Sequence, residues 1–160
     1  MSEVELNEEE LGQIIDQLLS GEKTLGDIRG LTTQEIEAIY TVAYNLFENA
    51  KYQDALKVFG FLCLYSHLDK RFWLGAAACH QQLKNFAEAV DAYSMTAVLD
   101  VEDPTPSLQA AMCYLSMGNL DKAESGCESA IHWSGENVAH AATKARAEAL
   151  LSVVREQKGA

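Results

Sequence analysis

Four cysteines and four histidines are the residues whose types could do chemistry: Cys63, Cys79, Cys113 and Cys127, with His67, His80, His132 and His140. Cys63 and His67 stand four residues apart, one helical turn, and Cys79 and His80 are adjacent, so a metal site is one reading of them. Spacing favours another. No Cys-x-x-Cys occurs, and Cys79 and Cys113 are 34 residues apart, at the same place in an internal repeat. A thiol that recurs with a repeat acts as a small core hydrophobe. His80 falls where the repeat prefers an aromatic and reads as a packed inner residue. Glu35 and Glu37 sit at a solvated helix start and form no acid–base pair. The chain has no Gly-rich phosphate loop and no Gly-x-Ser-x-Gly elbow. These residues predict no catalysis, no metal and no cofactor.

The elements that must position any functional side chain follow from a repeat. Ala55, Ala89 and Ala123 are spaced by 34 residues, twice. Twelve residues before each lies another small residue, Ala43, Ala77 and Ala111. Four after each comes a larger one, Phe59, Tyr93 and Cys127, and three before each comes Tyr52, Phe86 and Leu120. Lys51, Asn85 and Asn119 mark the polar turns. A 34-residue period with this pattern resembles the tetratricopeptide repeat, a helix–turn–helix unit in which the small residues let two helices approach. The pattern predicts an all-α fold: three tandem repeats at 36–69, 70–103 and 104–137, stacked as an α-solenoid with a concave groove. Trp73 takes the repeat's usual Trp place in the second unit alone, and Thr96 stands where Ala is usual.

The flanks read as caps, completing a single domain over 1–160. In the N-terminal helical segment, 1–35, Asn7 precedes Glu8, Glu9 and Glu10, acids suited to a helix N-terminus. Leu11, Ile14, Ile15, Leu18 and Leu19 then recur with helical spacing. Ser20-Gly21 ends that helix, a Gly-rich turn runs from Gly21 to Gly30, and Thr32 with Glu35 forms a capping box. At the other end, 138–160 reads as a capping helix with Val138, Ala141, Ala142, Ala145, Ala149 and Val153 on its apolar face.

In such an array the first helix of each unit lines the groove. Those positions are Glu37, Tyr40, Tyr44 and Phe47, then Arg71, Leu74, Ala78 and Gln81, then Thr105, Leu108, Met112 and Leu115. Aromatic, Leu and Met side chains in a concave surface suit the apolar anchors of a peptide. Self-packing of Tyr40, Tyr44 and Phe47 against the N-terminal helix is the other reading. Arg71 is the one cation in the set, which argues against a clamp for a terminal carboxylate or for phosphate.

Charge limits the partners. The chain carries 24 acids against 12 bases, a net charge of −12, and residues 1–22 hold seven acids and no base. Nucleic acid and anionic membranes are repelled by such a balance; a solvated acidic surface explains it equally well. There is no basic and apolar leader at Met1-Ser2-Glu3-Val4-Glu5 and no apolar run of membrane-spanning length, so the cysteines are expected to be reduced and the protein cytoplasmic.

One stretch is more specific than the repeat. Phe59 to Leu83, FGFLCLYSHLDKRFWLGAAACHQQL, resembles the signature of the class II chaperones of type III secretion translocators, the LcrH/SycD and IpgC type. The matching residues are Phe59, Leu62, Cys63, Asp69, Arg71, Phe72, Leu74, Gly75 and Ala78. The likeness extends over roughly 10–155 through KTLGDIRGL, the first repeat and DKAESG. Ser66, Leu68, Ala76 and Ala77 depart from the family's usual residues, as does the absence of Gly between Gln82 and Asn85.

The resemblance implies a chaperone in the cytoplasm of a Gram-negative bacterium. It would hold two hydrophobic, pore-forming translocators soluble before export, binding an extended segment with Pro and Leu anchors. Tyr40, Tyr44, Phe47, Tyr65 and Leu74 are the contacts it implies; Ala78, Leu108 and Met112 join them by groove position. It also implies a homodimer through the N-terminal helix, with Leu11, Ile14, Ile15, Leu18 and Leu19 as its apolar residues, and, in some members, assistance to a transcription activator. A generic repeat adaptor or transcriptional co-regulator is the alternative.

Overall fold

The computed structural model describes residues 7–22 and 30–160. The described residues form eight α-helices: α1 (Glu8–Ser20), α2 (Thr33–Glu48), α3 (Tyr52–Tyr65), α4 (Lys70–Gln82), α5 (Phe86–Leu99), α6 (Thr105–Ser116), α7 (Leu120–Ser134) and α8 (Ala141–Gly159). A 3-10 turn, Val138–His140, precedes α8. Two compact units are present, Met1–Cys79 and His80–Ala160.

The 34-residue register is written into the packing. Ala43, Ala55, Ala77, Ala89, Ala111 and Ala123 are all fully buried, and where α2 packs on α3 and α6 on α7 the helices meet at residues too small to hold them apart. Phe59, Tyr93 and Cys127, four residues beyond the second alanine of each pair, are buried as well. Tyr52, Phe86 and Leu120 open α3, α5 and α7. The turn before each of these helices needs one left-handed residue, and it falls at Ala50 (φ 58°), Lys84 (φ 61°) and Gly118 (φ 74°). The third turn alone supplies the glycine that this conformation favours. Thr96 sits fully buried, its hydroxyl donating to the Ala92 carbonyl at 3.1 Å.

The capping box predicted at Thr32 forms, and Asn7, expected as an N-cap, forms one as well. Asn7 accepts from the Glu10 N–H and Glu10 from the Asn7 N–H, each at 2.9 Å. Thr32 accepts from the Glu35 N–H at 3.1 Å, and the Glu35 carboxylate from the Thr32 N–H at 2.8 Å. Gly21, left-handed at φ 78°, ends α1. The Gly-rich turn predicted from Gly21 to Gly30 falls, at 23–29, outside the described residues.

In the first unit α1 lies mainly on α3. Ile15 is buried, and Leu11, Ile14, Leu18 and Leu19 pack half-buried on a core built from Ile39, Val58, Leu62 and Phe72. Lys57 donates to the Leu19 carbonyl at 3.0 Å and so caps the end of α1. The five residues expected at a dimer interface thus serve this chain's own core.

In the second unit α8 covers α7 and touches α6. Its apolar face differs from the expected one. Ala147, Leu151 and Val154 are buried, whereas Val138, Ala141, Ala142, Ala145, Ala149 and Val153 are exposed. Branched Leu151 and Val154 have more apolar surface to remove from water than any alanine, and they decide which way the helix turns. The exposed alanines contribute helix propensity.

Candidate functional site

In the first unit α2, α3 and α4 enclose an open apolar cleft of about 200 Å³. Tyr40, Tyr44 and Phe47 form the α2 wall, at the i, i+4, i+7 spacing that puts them on one helix face. Leu74 and Ala78 face them from α4, and Phe59 rises from α3 between the two helices. Gly75 has no side chain because the Phe59 ring takes that space: a Cβ there would lie 2.3 Å from Phe59 Cε1.

The aromatic residues hold one another in place. The Tyr40 ring stands edge-on to Phe59 at 6.1 Å and tilted against Phe72 at 5.8 Å, with Tyr44 at 6.4 Å beyond it. Such pairs are favourable beyond their burial. Phe47 is braced at 5.3 Å by Tyr52. Tyr44 stays 50% exposed, so α1 does not cover the cleft and the self-packing reading fails for this residue.

Arg71 closes one rim. Its guanidinium donates to both Glu37 oxygens, at 3.0 and 2.6 Å, and to both Asp69 oxygens, at 3.1 and 2.7 Å. It also lies 4.8 Å from the Tyr40 ring centre, a cation–π contact. Hydrogen bonds from Arg71 hold the Glu37 and Asp69 carboxyls below their ordinary range. Two carboxylates already occupy the guanidinium, leaving it unsuited to a free carboxylate or phosphate. On the other wall the charge of Glu48, followed by a hydrogen bond to it, pushes the Tyr44 phenol up. The site is therefore an apolar slot under a rim of charges that satisfy each other; its chemistry is recognition of an uncharged side chain.

The thiols lie elsewhere. All four cysteines are buried, and burial pushes Cys63 and Cys79 up to about 12 and Cys113 to about 11. A thiol so far from ionisation at neutral pH is a poor nucleophile or ligand. Among the described residues, no three His, Cys, Asp or Glu come together as a metal site, and no helix is long and apolar enough to cross a membrane.

Known proteins resemble this chain in sequence and fold. A tetratricopeptide repeat family matches residues 36–69 and 64–103. The low calcium response locus protein H of Yersinia pestis is 37% identical over 112 residues, 70% of this chain and 67% of its own length. PcrH of Pseudomonas aeruginosa, solved in complex with the chaperone binding region of PopD, is 39% identical with a TM-score of 0.79, covering 82% of this chain and 98% of its own. The type III secretion chaperone SycD of Yersinia enterocolitica, solved with a peptide of the translocator YopD, is 34% identical with a TM-score of 0.76, covering 79% and 97%. This chain belongs to the class II translocator chaperones of type III secretion.

In this chaperone five of the eight expected contact residues, Tyr40, Tyr44, Phe47, Leu74 and Ala78, line one cleft. Tyr65 does not. It stacks on Phe61 at 5.7 Å, and its hydroxyl accepts the Leu31 N–H at 2.7 Å, fixing the entry to α2. Leu108 and Met112 line a different cleft in the second unit, Leu108 buried at its floor with Ala130 and Ala147. The sequence marks Phe59 as the large residue of the first repeat and Gly75 as a family match, but gives neither a role in the cleft. A glycine inside a helix, at a cost of about 1 kcal/mol, was the available sign of close approach.

Proposed function

We propose that this chaperone keeps hydrophobic translocators of a type III secretion system soluble and export-competent, seating apolar anchors of an extended segment in the Tyr40–Tyr44–Phe47 cleft. The observation that carries this is the cleft itself: a formed apolar slot, open to solvent, in a chain whose relatives PcrH and SycD are solved with translocator segments. A Leu-sized anchor buried there contributes about 1.5–3 kcal/mol, and two or three anchors hold a segment without folding the rest of the client. Release for export then needs only a few weak contacts to break. The reading is non-catalytic and cytoplasmic, with the repeats and flanking helices working as one domain.

Two translocators, a homodimer and assistance to a transcription activator belong to the same proposal. Because Leu11, Ile14, Ile15, Leu18 and Leu19 pack on the chain's own core, a dimer through α1 would share these residues or exchange the helix. Co-expression with a translocator from the same bacterium tests the function. The translocator should move from the pellet to a soluble complex with the chaperone. A translocator left insoluble, with the chaperone folded and abundant, would overturn the reading.

A further inference from the structure

The second unit carries its own cleft, of about 310 Å³, between α6 and α8. Leu108 forms the floor, Met112 one wall, and Ala149, Leu150 and Val153 the other. Val153 is 43% exposed, a large apolar side chain left in water at the mouth. Met112 opposite it is an adaptable thioether suited to irregular partners.

Arg146 stands at the edge of this cleft. The other cations of α8 are engaged: Lys144 with Glu136 and the Gly135 carbonyl, Arg155 with Glu124 and Glu128, Lys158 with Asp121 and Glu124. Arg146 has no ion pair or hydrogen bond among the described residues. Its own helix cannot supply one, since the residues three and four positions away are Ala142, Thr143, Ala149 and Leu150. In a chain of net charge −12, an unengaged guanidinium beside an apolar cleft is where a carboxylate from another molecule is favoured. The planar fork binds it in two parallel hydrogen bonds.

The geometry points to a second binding cleft, formed by α6 and α8, for a translocator segment in which an apolar anchor lies beside an Asp or Glu. The anchor enters between Met112 and Val153, and the carboxylate pairs with Arg146. This deepens the translocator reading and rests on it. The two clefts differ in charge logic: Arg71 is already neutralised, whereas Arg146 is not. An anchor flanked by acid is therefore favoured in the second cleft and gains nothing in the first.

The test is site-specific photo-crosslinking in the complex of the full chain with a co-expressed translocator. A benzoylphenylalanine is placed at Val153 or, separately, at Tyr44, and the crosslinked peptides are mapped by mass spectrometry. Both positions should capture translocator, and the segment captured from Val153 should carry an Asp or Glu beside its apolar residue. Arg146→Glu should lower the Val153 yield about tenfold, as for loss of a charge-assisted pair, and leave the Tyr44 yield unchanged; Arg146→Lys should retain most of it. Capture from Tyr44 with none from Val153 overturns the inference, as does capture from Val153 of only a second copy of this chain or of a segment without an acid. A Val153 yield indifferent to Arg146→Glu overturns it as well. Absence of capture from both positions overturns the translocator reading itself.

Discussion

Gly75 lies against the ring of Phe59 so closely that a Cβ at position 75 would stand 2.3 Å from Phe59 Cε1 and 2.5 Å from Cδ1 and Cζ. Phe59 is only 2% exposed and also packs on Tyr40. It cannot retreat without moving the floor of the cleft. Gly75→Ala should therefore lower stability by about 1–3 kcal/mol, the cost of overpacking, and weaken translocator binding beyond what stability alone explains. Thermal melts and titration calorimetry below the melting transition check both.

Arg71 joins α2 to α4 through Glu37, 34 residues away in sequence. Glu37 and Asp69 are held below their ordinary carboxyl range by its hydrogen bonds. Groups with depressed folded-state pKa values contribute stability that is present above the unfolded values, near pH 4, and lost as pH falls through the folded ones. The gap in Tm between wild type and Arg71→Gln should be widest at neutral pH and shrink as the buffer is taken below pH 4. Salt should narrow it too, since the groups are partly exposed.

The left-handed residues at Ala50 and Lys84 hold a conformation that costs an L-residue about 1–2 kcal/mol. Lys84→Gly relieves it at the expense of a looser unfolded chain. The expected net effect is a gain of about 0.5–1 kcal/mol, read as a higher denaturant midpoint at unchanged slope.

Which face of α8 is buried has a direct test in stability. Leu151→Ala should cost about 2–3 kcal/mol by opening a cavity over α6 and α7. Ala145→Ser, on the exposed face, should change stability by less than about 0.5 kcal/mol. Urea unfolding of the two variants separates them.

The repeat was legible in the sequence because its spacing is a packing constraint: six small residues in fixed register leave two helices per unit little else to do. The α2 wall of the cleft was legible for the same reason. Tyr65 falls outside the α2–α4 cleft because family position indicates that a side chain matters but not which neighbours it meets, here the Leu31 N–H. The face of α8 was misread because an Ala-rich helix carries a weak amphipathic signal, and the two branched residues that settle it, Leu151 and Val154, were outvoted by alanines. Phe59 and Gly75 stand out in the sequence as a repeat position and as family matches, but their place in the cleft does not, because it is a distance between two helices.

The central claim is that an extended translocator segment is held by the cleft between α2 and α4. Its most direct test is the Kd of that segment, by calorimetry, for a Tyr44→Ala/Leu74→Ala variant, with exposed Trp133→Ala as a control outside the cleft. Removing two apolar anchoring surfaces should weaken binding about 100-fold, equivalent to about 3 kcal/mol, with helicity intact and the control unaffected. An unchanged Kd in the double variant would contradict the cleft as the binding site.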